Sequence, residues 1–100
     1  MQGPTLSFEG QTSLRTLGER IRTARLRRGD SETLAATRAG VSRDTWRRLE
    51  EGRPSVSVGL MIEALILYGF VEQVFELADP EFDTVGISMD AARRPKRGRS

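Results

Sequence analysis

The residues best equipped for chemistry in this chain are its arginines, eleven of which fall between residues 13 and 54 against six acids. A guanidinium is planar, permanently charged and carries a fork of donors. It suits two targets: the paired acceptors on the major-groove edge of guanine, or the oxygens of a phosphate. The groups that would announce acid–base or nucleophilic catalysis are missing. With no histidine and no cysteine, imidazole and thiolate schemes, disulfide frameworks and most zinc sites fall away. The carboxylates are scattered over helix surfaces without a convergent spacing, so neither an enzyme nor a cofactor or metal is expected.

The net charge of +2 hides a division along the chain. Residues 55 to 92 hold seven acids and no basic residue, and residues 93 to 100 hold five basic residues and no acid. A polyanion would meet the first basic block and could meet the tail, while the acidic middle faces something else; the plain alternative is a solvated surface of mixed charge. A chain of 100 residues builds one domain with one core. Its longest apolar run, Ala64 to Val71 around Gly69, is far shorter than the roughly 20 residues of a membrane span. Met1 to Gly10 lacks the basic-then-apolar order of a signal peptide. The expected setting is a reducing cytoplasm, with no membrane partner.

The elements that would position the arginines read as an all-α, five-helix domain over residues 12–80. Residues 1–11 are expected to be a flexible leader. The first helix starts at Thr16, where Thr16 and Glu19 fit a capping box, with Ser13 as a rival cap, and it places Leu17, Ile21 and Ala24 on one face before Gly29. Ser31 caps a second helix to about Arg38 that turns Leu34, Ala35 and Ala39 inward. Gly40 breaks it. Val41 and Ser42 then open a third helix, Arg43 to about Glu51, stopped by Gly52 and Pro54. A fourth follows from Val58 to Tyr68 with Ser57 as cap, and a fifth is outlined by Val71, Val74, Phe75 and Ala78. Residues 81–92 form an extension in which Val85, Ile87 and Met89 alternate, the pattern of a short strand. Residues 93–100 read as a disordered basic tail.

Residues 31–51 supply what a reading helix needs: a supporting helix, a tight turn at a glycine, and a next helix with free outward positions. Trp46 and Leu49 are one turn apart and face the core, which leaves Arg43, Asp44, Arg47, Arg48 and Glu51 outside. Arg43, Asp44 and Arg47 are assigned to base edges. Arg48 either reads a base or holds a phosphate, and Asp44 either accepts from a cytosine amino group or orients a neighbouring arginine. Ser31, Glu32, Ser42, Thr45 and Arg53 are assigned to the sugar–phosphate backbone. The expected partner is double-stranded DNA.

The segments Leu17-Gly18-Glu19-Arg20-Ile21-Arg22, Ala39-Gly40-Val41-Ser42 and Trp46-Arg47-Arg48-Leu49-Glu50-Glu51-Gly52 resemble the Xre/Cro family of helix-turn-helix regulators over about residues 16–78. The resemblance implies a transcription repressor. It also implies a backbone contact at Glu32, where a glutamine is more usual; an acid there would be repelled by phosphate and pairs with an arginine or lies away from DNA. Ala35 stands where a larger aliphatic is typical. Pro54-Ser55-Val56-Ser57-Val58-Gly59, Tyr68-Gly69-Phe70 and Leu77-Ala78-Asp79-Pro80 resemble the HipB-type antitoxins. That narrower resemblance implies a dimer that represses its own operon and a kinase-like toxin as a further partner.

The fourth helix is apolar nearly all round, with Glu63 its only charge, and must be covered on more than one side. A second subunit is the expected cover, with Leu60, Ile62, Ile66 and Leu67 in the interface; a central helix in a monomer is the alternative. Val85 and Ile87 would add a strand paired with its copy, as the resemblance to HipB-type proteins implies. A twofold homodimer would present two reading helices one turn of DNA apart, on a palindromic operator.

Overall fold

Serine starts four of the helices. The computed structural model describes residues 5–94, and Ser7, Ser31, Ser42 and Ser57 each accept the backbone N–H three residues on, opening α1 (Phe8–Arg27), α2 (Glu32–Ala39), α3 (Arg43–Glu50) and α4 (Val58–Leu67). Each cap satisfies a donor that the first turn would leave without a partner. α5 (Val71–Glu76), a 3₁₀ turn (Pro80–Phe82) and α6 (Thr84–Arg93) complete the chain. Among the described residues there is no strand.

Three features depart from the sequence reading. The first helix begins at Phe8, not Thr16, so residues 8–11 are helical. Ser7 and the acidic first-turn Glu9 launch it, whereas the apolar periodicity that suggested Thr16 starts only where α1 reaches the rest of the molecule. The alternating segment at 84–89 is a helix, the sixth, with the Asp83 carboxylate accepting from Gly86 N–H at 2.9 Å. With no neighbouring strand, a helix is the conformation that satisfies these backbone groups within the segment. In α2 the inward residues are Ala35 and Ala36, while Leu34 stays at the surface. Residues 1–4 of the expected leader and 95–100 of the expected tail lie outside the described residues.

The core is small and lies where α1, α2 and α4 surround α3. Trp46, Ile21 and Leu49 are its largest fully buried side chains, joined by Ala35, Ala64, Leu65 and Tyr68. The indole of Trp46 and the ring of Tyr68 meet edge to face at 6.2 Å between centroids, a favoured aromatic geometry. α4 therefore buries Leu60, Met61, Ala64 and Leu65 within the monomer and leaves Ile66 exposed. The core thus covers part of its apolar circumference, while Val58 is exposed as well and Ile62 and Leu67 are half-buried.

Close backbone approach fixes α1 on the end of α3. A Cβ on Gly18 would sit 2.5 Å from the Glu50 carbonyl oxygen, and one on Gly52 would sit 2.6 Å from the Arg15 Cα. Between α2 and α3, Gly40 adopts the left-handed conformation (φ 75°), and the N–H groups of Gly40 and Val41 reach back to the carbonyls of Thr37 and Ala36. This ending satisfies the last carbonyls of α2 and sets the angle at which α3 leaves.

Beyond α5 the chain leaves the core. Phe75, Leu77, Phe82, Val85, Ile87 and Met89 are all exposed, and the principal neighbour of α6 is the 3₁₀ turn. The radius of gyration of 18.4 Å exceeds the roughly 13 Å of a compact 100-residue domain, as an arm projecting from a small body requires.

The Tyr68 hydroxyl donates to Asp30 Oδ2 at 3.2 Å. Burial, with that hydrogen bond and the carboxylate's charge adding to it, raises its pKa above the ordinary tyrosine value. The folded state thus favours the neutral phenol, so Tyr68 contributes stability that is complete below about pH 10 and is lost as pH rises through the raised value. The midpoint of thermal unfolding should fall above pH 10, and Tyr68→Phe should flatten that limb. Identical alkaline limbs in the two proteins would contradict it.

Candidate nucleic-acid interface

Two buried charges hold α3 in place. Arg25 of α1 forks onto Glu50 of α3, Nε to Oε2 at 2.6 Å and Nη2 to Oε1 at 3.0 Å, with side chains only 6% and 4% exposed. Each partner makes a further hydrogen bond. Arg25 Nη1 donates to the Asp30 carbonyl at 2.9 Å, and Trp46 Nε1 donates to Glu50 Oε2 at 2.7 Å. A bidentate pair whose two partners each make a further hydrogen bond is the arrangement in which attraction can offset desolvation. The hydrogen bond to Glu50 raises the Arg25 pKa against the opposing effect of burial, so the guanidinium stays charged. Asp30, at the α1–α2 junction, also accepts from Arg38 Nη1 at 3.0 Å. Arg28 donates to the carbonyls of Ala24 and Tyr68 and lies over the Tyr68 ring. Polar contacts thus tie α1, α2, α3 and α4 around the base of α3.

With Trp46, Leu49 and Glu50 inward, the opposite side of α3 presents Arg43, Asp44, Arg47 and Arg48, all exposed. The structure brings these four together with the start of α2. Asp44 pairs with both Arg47 (3.3 Å) and Arg48 (2.8 Å), and Arg43 Nε reaches Glu32 Oε1 at 3.3 Å. Of the alternatives open for Asp44 and Glu32, the geometry is that of carboxylates engaged with neighbouring arginines. Ser31 and Ser42 are spent as helix caps, and Ser42 Oγ donates to the half-buried Thr45 hydroxyl at 2.9 Å. Arg53, in the loop after α3, pairs with Glu51 at 3.1 Å. α3 and the first turn of α2 therefore share one charged outer face.

The residues assigned to a subunit interface divide. Leu60 is buried in its own core, Ile62 and Leu67 are half-buried, and Ile66 is exposed on α4. Val85 and Ile87 stand exposed on α6.

Sequence reading missed the Arg25–Glu50 pair, although a signal for it exists. Arg25 lies four residues after Ile21 and Glu50 four after Trp46, so each extends an apolar face by one turn, and two opposite charges in such places can meet. It also missed Gln11 and Arg15, which line a cleft with Arg53 and Pro54 beside the end of α3. They were overlooked because the start of α1 carries no apolar period.

The helix-turn-helix domain family matches residues 16–77, more than half of the chain. The chain belongs to that family, whose helix-turn-helix domain is a DNA-binding one, and the matched span contains α2, the turn at Gly40 and α3. No curated protein and no solved structure matches it significantly. Among the described residues no helix is long and apolar enough to cross a membrane, and no group of residues could hold a metal ion.

Removing one member of the buried pair would leave the other charged without its partner. Glu50→Ala is expected to cost about 3–5 kcal/mol of stability, read as a lowered urea midpoint. A loss below about 1 kcal/mol, the range of an exposed pair, would contradict the role assigned to it.

Proposed function

We propose that this chain is a sequence-specific transcription repressor of Xre/Cro type, acting in the cytoplasm as a homodimer on a palindromic operator, that of its own operon. The observation that carries this reading is the outer face of α3, where three arginines stand exposed on a helix whose inner face is anchored by a buried ion pair. Rigid presentation of guanidinium forks suits the paired acceptors of guanine in the major groove. In this reading Arg43 and Arg47 meet base edges, Arg48 a base or a phosphate, and the caps Ser31 and Ser42, with Thr45 and Arg53, lie along the backbone.

Support for a homodimer comes from the arm. Its apolar residues Phe82, Val85, Ile87 and Met89 are uncovered in one chain, and exposed apolar surface on a small domain is a mark of an interface. The interface is accordingly assigned to α5 and α6 with Ile66, and not to Leu60. A second reading rests on the same arm. Apolar residues set among acids, with no basic residue from 55 to 92, suit a different protein with a basic surface, and in a relative of HipB-type antitoxins that partner would be a toxin.

Sequences bound by the chain should be selected from a random duplex library. A twofold motif is expected, and Arg47→Ala should weaken binding to it by about tenfold or more; unchanged binding would refute the assignment. The mass in solution separates the two readings of the arm. A dimer that Val85→Asp converts to a monomer supports self-association, and a wild-type monomer supports a foreign partner.

A further inference from the structure

Ion pairing is unevenly distributed over the basic half of the molecule. Arg15, Arg20, Arg22 and Arg27, all exposed on α1, make no ion pair among the described residues. On the proposed DNA face the reverse holds: Arg43, Arg47, Arg48 and Arg53 are each matched to a carboxylate, from Glu32, Asp44 and Glu51. A surface built only to attract a polyanion gains nothing from three acids among its arginines, since each repels phosphate. The acids are also placed individually. Asp44 lies three and four residues before the arginines it holds, so a single carboxylate reaches both from the preceding turn, while Glu32 crosses from α2 to reach Arg43.

We propose that Glu32 and Asp44 temper DNA binding: Glu32 holds Arg43 and Asp44 is shared by Arg47 and Arg48, in ion pairs that a lone phosphate does not open and that the correct base edge does. The inference rests on the DNA-binding reading above and concerns its selectivity. An exposed ion pair shifts an equilibrium by at most about fivefold, enough to compete with one phosphate contact. A bidentate contact to the right base discriminates by about fivefold to more than a hundredfold, enough to open the pair. Non-specific DNA is then met with Arg43, Arg47 and Arg48 still engaged within the protein. The operator is met with them released. Each pair lowers affinity by its full worth on the operator, where it must open, and on other sequences by only the weaker phosphate contact forgone, so the carboxylates hold the tightest binding down most.

The test uses the full chain and its Glu32→Gln, Asp44→Asn and Glu19→Gln variants, titrated at several salt concentrations against two probes: a mixed-sequence duplex, and a duplex that the wild type selects from a random library. Glu19 is exposed on α1 and in no ion pair among the described residues, so it controls for net charge. On the mixed-sequence duplex, the slope of log affinity against log salt should steepen by about one for Glu32→Gln and about two for Asp44→Asn. On the selected duplex, where the pairs must open, affinity should rise by up to about fivefold, and by less on the mixed-sequence duplex, so discrimination rises in both variants. Unchanged slopes, unchanged discrimination, or an equal effect of Glu19→Gln would overturn the proposal. A wild type that selects no sequence would overturn the DNA-binding reading itself, a failure separate from that of the two carboxylates.

Discussion

Everything on the outer face of α3 depends on the fork between Arg25 and Glu50. α3 has eight residues and a core side of Trp46, Leu49 and Glu50, too little apolar surface to fix its rotation and tilt by packing alone. Apolar contacts are non-directional, whereas two parallel N–H···O bonds constrain distance and plane together. The fork joins the last part of α1 to the last turn of α3, and the close approach of Gly18 to the Glu50 carbonyl allows it to form at that range. Because Trp46 also donates to Glu50, the side chain that fills the core and the charge that orients the helix are coupled through one carboxylate.

From that anchor the rest follows outward. Gly40 sets the turn, Ser42 closes the first turn of α3, and the exposed positions fall to arginines. The same helix carries its own counter-charge in Asp44, and α2 supplies Glu32. A basic segment thus presents a face on which most charge is internally matched, while the arginines exposed on α1 have no ion-pair partner among the described residues. In the other direction, α5, the 3₁₀ turn and α6 carry apolar side chains away from the body. The charged face of α3 and the apolar arm thus lie on different elements, joined through α4.

Much of this is legible in the sequence because it is local. The caps at Ser31, Ser42 and Ser57, the break at Gly40 and the inward Trp46 and Leu49 each follow from a few neighbouring residues, and the structure has them where local chemistry places them. The outward set Arg43, Asp44, Arg47 and Arg48 follows by subtraction. The rest depends on groups far apart in the chain. Arg25 reads as a helix-end charge until Glu50, 25 residues later, is placed beside it. α4 reads as an interface helix, and apolarity alone does not say which of its residues the chain itself covers: Leu60, Met61, Ala64 and Leu65 are buried, and Val58 and Ile66 are not. Val85, Ile87 and Met89 alternate like a strand, but the Asp83 cap and the lack of a neighbouring strand make the segment helical. The start of α1 is hidden because it projects past the core and has no apolar face to show.

If α3 reads DNA from the major groove, as proposed, binding must be sensitive to methylation of base edges there. Methylating guanine N7 alters the major-groove edge that an arginine fork would contact. N7 methylation within the selected sequence should abolish binding at positions related by twofold symmetry, and a minor-groove ligand on the same duplex should not compete. Binding that is indifferent to N7 methylation and displaced by the minor-groove ligand would contradict that reading.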